Sequence, residues 1–194
     1  MRLPLRLLVP EMTHKPATYA DLEALPPNQV GEIIAGVLYA SPRPATPHGR
    51  VASRVHGELY PPFERGSGGP GGWLIRFEEE LHLGSDVLVP DLAGWRRERV
   101  PRIPDAPFIE IAPDWLCEVL SPSTAALDRD QKMTVYAREG VRHVWLVEPR
   151  ARTLEVFRLE GPHYVRLATY VGEATVRVEP FDAFPLELRV LWED

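Results

Sequence analysis

With 194 residues, 44% of them hydrophobic and 26% charged, the chain has ordinary globular composition, which excludes a disordered polypeptide and sets one domain as the expectation. No apolar run approaches the roughly 20 residues of a membrane span, prolines interrupt the leucines and arginines of the first ten residues, and the single cysteine, Cys117, cannot form an internal disulfide, so a cytoplasmic protein is expected. The net charge of −6 excludes a surface that coats nucleic acid non-specifically, though not a local groove.

In chain order, residues 1–16 read as a flexible or peripheral arm of a single domain spanning 1–194. Thr18 to Leu25 reads as a short helix capped by Thr18 and stopped by Pro26 and Pro27. GEIIAGVLYA, from Gly31 to Ala40, reads as a strand or hairpin arm in which Glu32 shares a face with Ile34. After a proline-rich loop, Val51, Val55 and Leu59 recur at helical spacing within a helix predicted over 48–64. Glycines between 66 and 72 make a turn. Two strand-like runs, 73–83 and 86–95, meet at a Gly-Ser turn and predict a hairpin.

Beyond another proline-heavy loop, Asp114 to Leu120 is apolar on both faces, as in a central buried strand, apart from Glu118. A helix is predicted from Thr124 to Glu139, with Gly140 as its C′ residue. Val141 to Val147 is a further strand, and from Thr153 onward the pattern is a meander of short strands. The order predicts an α/β or α+β fold with a mixed sheet.

A carboxylate within a buried strand is costly unless a cation or hydrogen-bond donors meet it. Glu32, Asp91 after Val89-Pro90, and Glu118 share that problem. If they converge, protons or a metal must relieve their repulsion, and hard oxygen donors without a cysteine or histidine cluster favour Mg²⁺ or Mn²⁺ over zinc. Basic character is almost all arginine; only Lys15 and Lys132 are lysines. Placing Met133, Tyr136 and Ala137 on a core stripe leaves Lys132 at its edge, able to lean toward the acids.

Taken in order, Glu32, Pro90-Asp91, Glu118-Val-Leu-Ser-Pro-Ser-Thr124, Asp130-Gln-Lys132, Tyr136 and Gly140-Val-Arg-His-Val-Trp-Leu-Val resemble the Uma-type family of restriction endonucleases, within the PD-(D/E)XK nuclease superfamily. The resemblance runs from Thr18 to about Arg166. It implies a restriction-endonuclease-like fold, a mixed central sheet flanked by helices, and a metal site at the strand ends. Asp91 and Glu118 match the two metal-binding acids, with the backbone carbonyl of Val119 beside them. Glu32 matches an acid from an earlier element and either holds a second metal or hydrogen-bonds Lys132.

The superfamily pattern sets a lysine two residues after the second acid, where this chain has Leu120. Lys132 matches a lysine displaced onto the following helix, with Tyr136 in support. The implied activity is Mg²⁺- or Mn²⁺-dependent hydrolysis of DNA phosphodiester bonds. The alternative is a nuclease-fold module, inactive in catalysis, that binds nucleic acid or assists assembly. Pairing into a homodimer is also expected, through edge strands beyond Thr153.

The plainer readings stand beside these. Taken singly, Glu32 caps a strand end and Asp91 begins a turn. His48, Arg50 and Arg54 are candidates for phosphate contact, although an exposed helix face is the commoner role. Asp128 and Asp130 favour the helix dipole. Ser121, Ser123 and Thr124 cap a helix rather than form a nucleophile loop. His143 reads as a satisfied core or edge histidine, and Cys117 as a core residue.

Overall fold

The computed structural model of the protein describes residues 15–42 and 46–193. The arm expected over 1–16 falls almost wholly outside them. The apolar run around Cys117 lies deep in the fold, and its position follows from the elements on either side of it.

The chain opens with α1 (Tyr19–Glu23), where the Thr18 backbone N–H donates to Asp21 at 2.8 Å. β1 (Gln29–Ile34) and β2 (Val37–Pro42) then form an antiparallel pair. α2 (Thr46–Leu59) follows, burying Val51, Ala52, Val55 and Leu59 along one stripe. It runs on into a π-helical turn, Tyr60–Glu64, so the helix predicted over 48–64 begins two residues earlier and changes its pitch at the prolines.

The hairpin predicted over 73–95 is divided between two sheets. β3 (Trp73–Phe77) pairs with β6 (Leu92–Arg96), while the tip, β4 (Leu81–Leu83) and β5 (Asp86–Leu88), joins β1 in a four-stranded sheet ordered β2-β1-β5-β4. The break falls where Glu78 takes a positive φ of 51° and its N–H donates to the Asp91 carbonyl at 3.0 Å. That bend leaves Asp91 just ahead of β6 rather than inside a strand.

β7 (Trp115–Val119) is buried along its whole length. Trp115, Cys117 and Val119 enter one apolar layer, whereas Leu116 and Leu120 enter the other. Alternation therefore directs Glu118 to the second layer. After β7 come α3 (Ala125–Leu127), a π-helical turn (Asp128–Lys132) and α4 (Met133–Arg138). Together they replace the single helix predicted over 124–139; Gly140, at φ 75°, ends them as expected. This is the crossover that a parallel pair requires, and it joins β7 to β8 (His143–Glu148).

β9 (Thr153–Glu160) and β10 (His163–Val171) complete a six-stranded mixed sheet ordered β10-β9-β8-β7-β6-β3, parallel only between β7 and β8. The terminal meander is accordingly longer-stranded than expected. It closes with a small pair, β11 (Thr175–Val176) and β12 (Leu186–Glu187), and a helix that the sequence reading missed, α5 (Leu188–Trp192).

α2 and α5 cover one face of the large sheet; α4 and the smaller sheet cover the other. Phe181 anchors the first layer, its ring centroid 4.7–4.9 Å from those of Phe63, Trp73 and Trp115. The architecture is mixed α/β, with several sheets and short helices. Among the described residues, no helix is long and apolar enough to cross a membrane.

Candidate active site

Antiparallel pairing of β6 with β7 sets Leu92 opposite Cys117. Continued by one residue, that register sets Asp91 opposite Glu118, at the C-terminal end of β7. The two acids, 27 positions apart in the chain, become neighbours through one strand pairing. Asp91 Oδ2 accepts the Val119 N–H at 2.7 Å, which fixes its carboxylate against β7.

Glu32 reaches the same place from the smaller sheet. Its Oε1 accepts the Val89 N–H at 2.9 Å and lies 2.9 Å from Lys132 Nζ. Thus Glu32 is not a surface cap on a strand end; it is buried and turned onto the lysine.

Lys132 is the hub. Its ammonium also meets Glu118 Oε1 at 3.1 Å and Asp128 Oδ1 at 3.2 Å, so its three protons face three carboxylates. The stripe-edge position expected for Lys132 is corrected by the π turn. More residues per turn rotate Asp128 and Lys132 relative to α4, and both end fully inside, 3% exposed. Asp128 is therefore a site residue that sequence reasoning assigned to the helix dipole. Its four-residue spacing from Lys132 was the available signal.

Tyr136 stands behind this cluster and donates to Glu118 Oε1 at 2.6 Å. Burial pushes its phenol well above the ordinary value, and the charge of Glu118 adds to the shift, so it remains a donor.

The charges do not balance. Burial would depress Lys132, but Glu118, Glu32 and Asp128 outweigh it and hold the ammonium well above its usual pKa. Burial also drives Glu118 well above the carboxylate range. Lys132 opposes that shift, while Asp128, Asp91 and Glu32 add to it. Both partners of one ion pair move upward: burial dominates at Glu118, while the several acids around Lys132 outweigh burial there. Lys132 stays charged, and Glu118 is left short of positive charge.

His48 faces the remaining acid, Asp91. Its Nε2 lies 3.2 Å from Asp91 Oδ2, beside the Val119 backbone. Burial lowers its pKa, but Asp91, the Val119 carbonyl and Asp128 together raise it above the ordinary value. The other two candidates for phosphate contact differ from it. Arg54 donates to the Val190 carbonyl at 3.3 Å and so ties α2 to α5. Arg50 lies half-buried on α2 and does not line the cavity.

The cavity, about 350 Å³, is lined by Glu32, His48, Asp91, Glu118 and Lys132, with Ser121 to Thr124 along its rim. Those hydroxyls bond one another, Ser121 Oγ lying 2.9 Å from Ser123 Oγ and 3.0 Å from Thr124 Oγ1. Cys117 points away into the opposite layer, and His143 sits at the far end of β8, 3.3 Å from Glu179.

As a donor set, carboxylates and a backbone carbonyl around a cavity deficient in positive charge suit a hard divalent cation. Among the described residues, no three His, Cys, Asp or Glu side chains already stand together as a ready ligand group. The acids are turned instead onto the Lys132 ammonium and the His48 ring, which occupy the carboxylate oxygens.

Comparison with known proteins bears on the same residues. Residues 16–190 match the Uma2 family model, described as "Putative restriction endonuclease". The fold is similar to that of a crystal structure from Anabaena variabilis described as "a putative nuclease belonging to DUF820". The TM-score is 0.69 at 24% identity, covering 91% of this chain and 98% of that one. A search of the curated proteins found no match.

Proposed function

The chain belongs to the Uma2 family, and on that premise we propose that it is a metal-dependent endonuclease hydrolysing the phosphodiester bonds of DNA on a restriction-endonuclease-like scaffold. One observation carries this reading. Three acids from three separate elements, Glu32, Glu118 and Asp128, surround one buried lysine beside an open cavity that Asp91 also lines.

Asp91, Glu118 and the Val119 carbonyl would hold Mg²⁺ or Mn²⁺. When bound, the cation supplies Lewis-acid polarisation of a phosphate oxygen and lowers the pKa of a coordinated water. The protein's own groups do the positioning. Lys132 holds a positive charge at the cavity wall, where negative charge grows on a phosphorane-like transition state. Glu32 and Asp128 aim that ammonium and keep it protonated. Tyr136 fixes Glu118 in one rotamer through its hydroxyl. The hydroxyls of Ser121, Ser123 and Thr124 line the path by which a phosphate approaches.

A second reading, a non-catalytic nucleic-acid-binding module, is favoured by one observation. The Lys132 ammonium is fully enclosed by carboxylates, and Leu120 occupies the position where the superfamily lysine would stand free. The two readings part in a plasmid-cleavage assay with Mg²⁺ or Mn²⁺. The nuclease reading predicts nicking or linearisation by the wild type and a loss of at least about a hundredfold in Glu118→Ala, the scale expected when a principal electrostatic group is removed. Equal, absent cleavage by both proteins, with DNA retained in a gel-shift assay, would establish the binding module instead.

A further inference from the structure

α2 carries His48 on the stripe that it buries. Ala52 and Val55 follow at four and seven residues, both without exposed surface. The ring is therefore directed inward, into the cavity, and not toward solvent as a phosphate-contacting side chain would be.

Its polar contacts are specific. Nε2 faces Asp91 Oδ2 at 3.2 Å beside the Val119 backbone, whereas Nδ1 has no hydrogen-bond partner among the described residues. A buried histidine that serves only structure ordinarily satisfies both nitrogens. Here its charged contact is with Asp91, one of the three oxygen donors assigned to the cation, and the backbone of Val119, a second, lies beside it. Adjacent donors around an octahedral cation with bonds of about 2.1 Å stand about 3 Å apart. The Nε2 to Oδ2 separation of 3.2 Å matches that spacing, so a cation seated between these atoms asks for little movement of either.

We propose that His48 is itself a ligand of the divalent cation, its Nε2 joining Asp91 Oδ2, Glu118 and the Val119 carbonyl oxygen. The assignment rests on the metal-nuclease reading above. The cation takes the place of the Nε2 proton, which leaves to solvent. One nitrogen among oxygens also alters selectivity. Imidazole favours later first-row ions over Mg²⁺, so the site prefers Mn²⁺ where a purely oxygen-lined site would discriminate less.

The test is Mn²⁺ titration of the purified protein followed by electron paramagnetic resonance, with pulsed measurement of nitrogen hyperfine coupling to the bound ion. Wild type is expected to bind Mn²⁺ and to show imidazole nitrogen coupling, a readout that needs no variant. His48→Gln, checked by its melting curve, is expected to lose the coupling and to bind Mn²⁺ at least about tenfold more weakly. Competition should reveal a smaller loss for Mg²⁺. Mn²⁺ bound by wild type without nitrogen coupling, or coupling that persists in His48→Gln, overturns the His48 assignment and leaves the metal reading standing. Failure of wild type to bind Mn²⁺ overturns both.

Discussion

At the scale of single residues, the cost of the site falls on Lys132. A buried ion pair that loses one partner leaves an uncompensated charge, which typically destabilises by about 3–5 kcal/mol. Three carboxylates within 3.2 Å of one ammonium, all inside the protein, make Lys132→Met an extreme case. Urea denaturation should show a loss at least of that size for Lys132→Met in metal-free buffer. Glu118→Gln should cost clearly less, because burial already drives Glu118 toward its neutral form. Adding Mn²⁺ should restore part of the Lys132→Met loss, since an ion bound only by the native state stabilises it. Equal losses in the two variants would contradict the account of Lys132 as the one ammonium, among the described residues, that serves several acids.

At the scale of elements, one buried carboxylate outside the cavity holds the smaller sheet in place. Asp86, 1% exposed, accepts the Ala35 N–H at 2.6 Å from the β1–β2 turn and the Arg138 guanidinium at 2.6 Å from the end of α4. This ties the strand that carries Glu32 to the helix that follows Lys132. Asp86→Ala is expected to cost about 2–3 kcal/mol, the order of two charge-assisted bonds lost at a buried group, and to accelerate amide exchange in β1 and β5 before β7 and β8. Uniform acceleration across both sheets would count against that role. Elements were also where sequence reasoning met its limits. β7 and the α2 stripe were legible from their apolar patterning, and Glu118 stood out because a charge interrupts a buried run. The division of the 73–95 hairpin between two sheets was not legible, because it depends on a bend at Glu78 that pairing with Asp91 stabilises. The π turn was equally hidden, and with it the full burial of Asp128 and Lys132. His48 could have been found, since its spacing to Ala52 and Val55 already put it on the buried stripe.

At the scale of the whole molecule, the fold brings together groups that the chain keeps far apart. Glu32 arrives on the smaller sheet, Asp91 at the head of β6, Glu118 on the central strand, and Lys132 on the crossover. The overall acidity of the chain is thus concentrated in part at one cavity, where a divalent cation would reverse its sign for an approaching phosphate. The claim on which the rest depends is that this cavity holds such a cation. It is tested most directly by soaking crystals of the wild-type protein in Mn²⁺ and measuring anomalous scattering. A peak between the carboxylates of Asp91 and Glu118 is the predicted result; a map without one there, at Mn²⁺ concentrations that saturate comparable carboxylate sites, would contradict it.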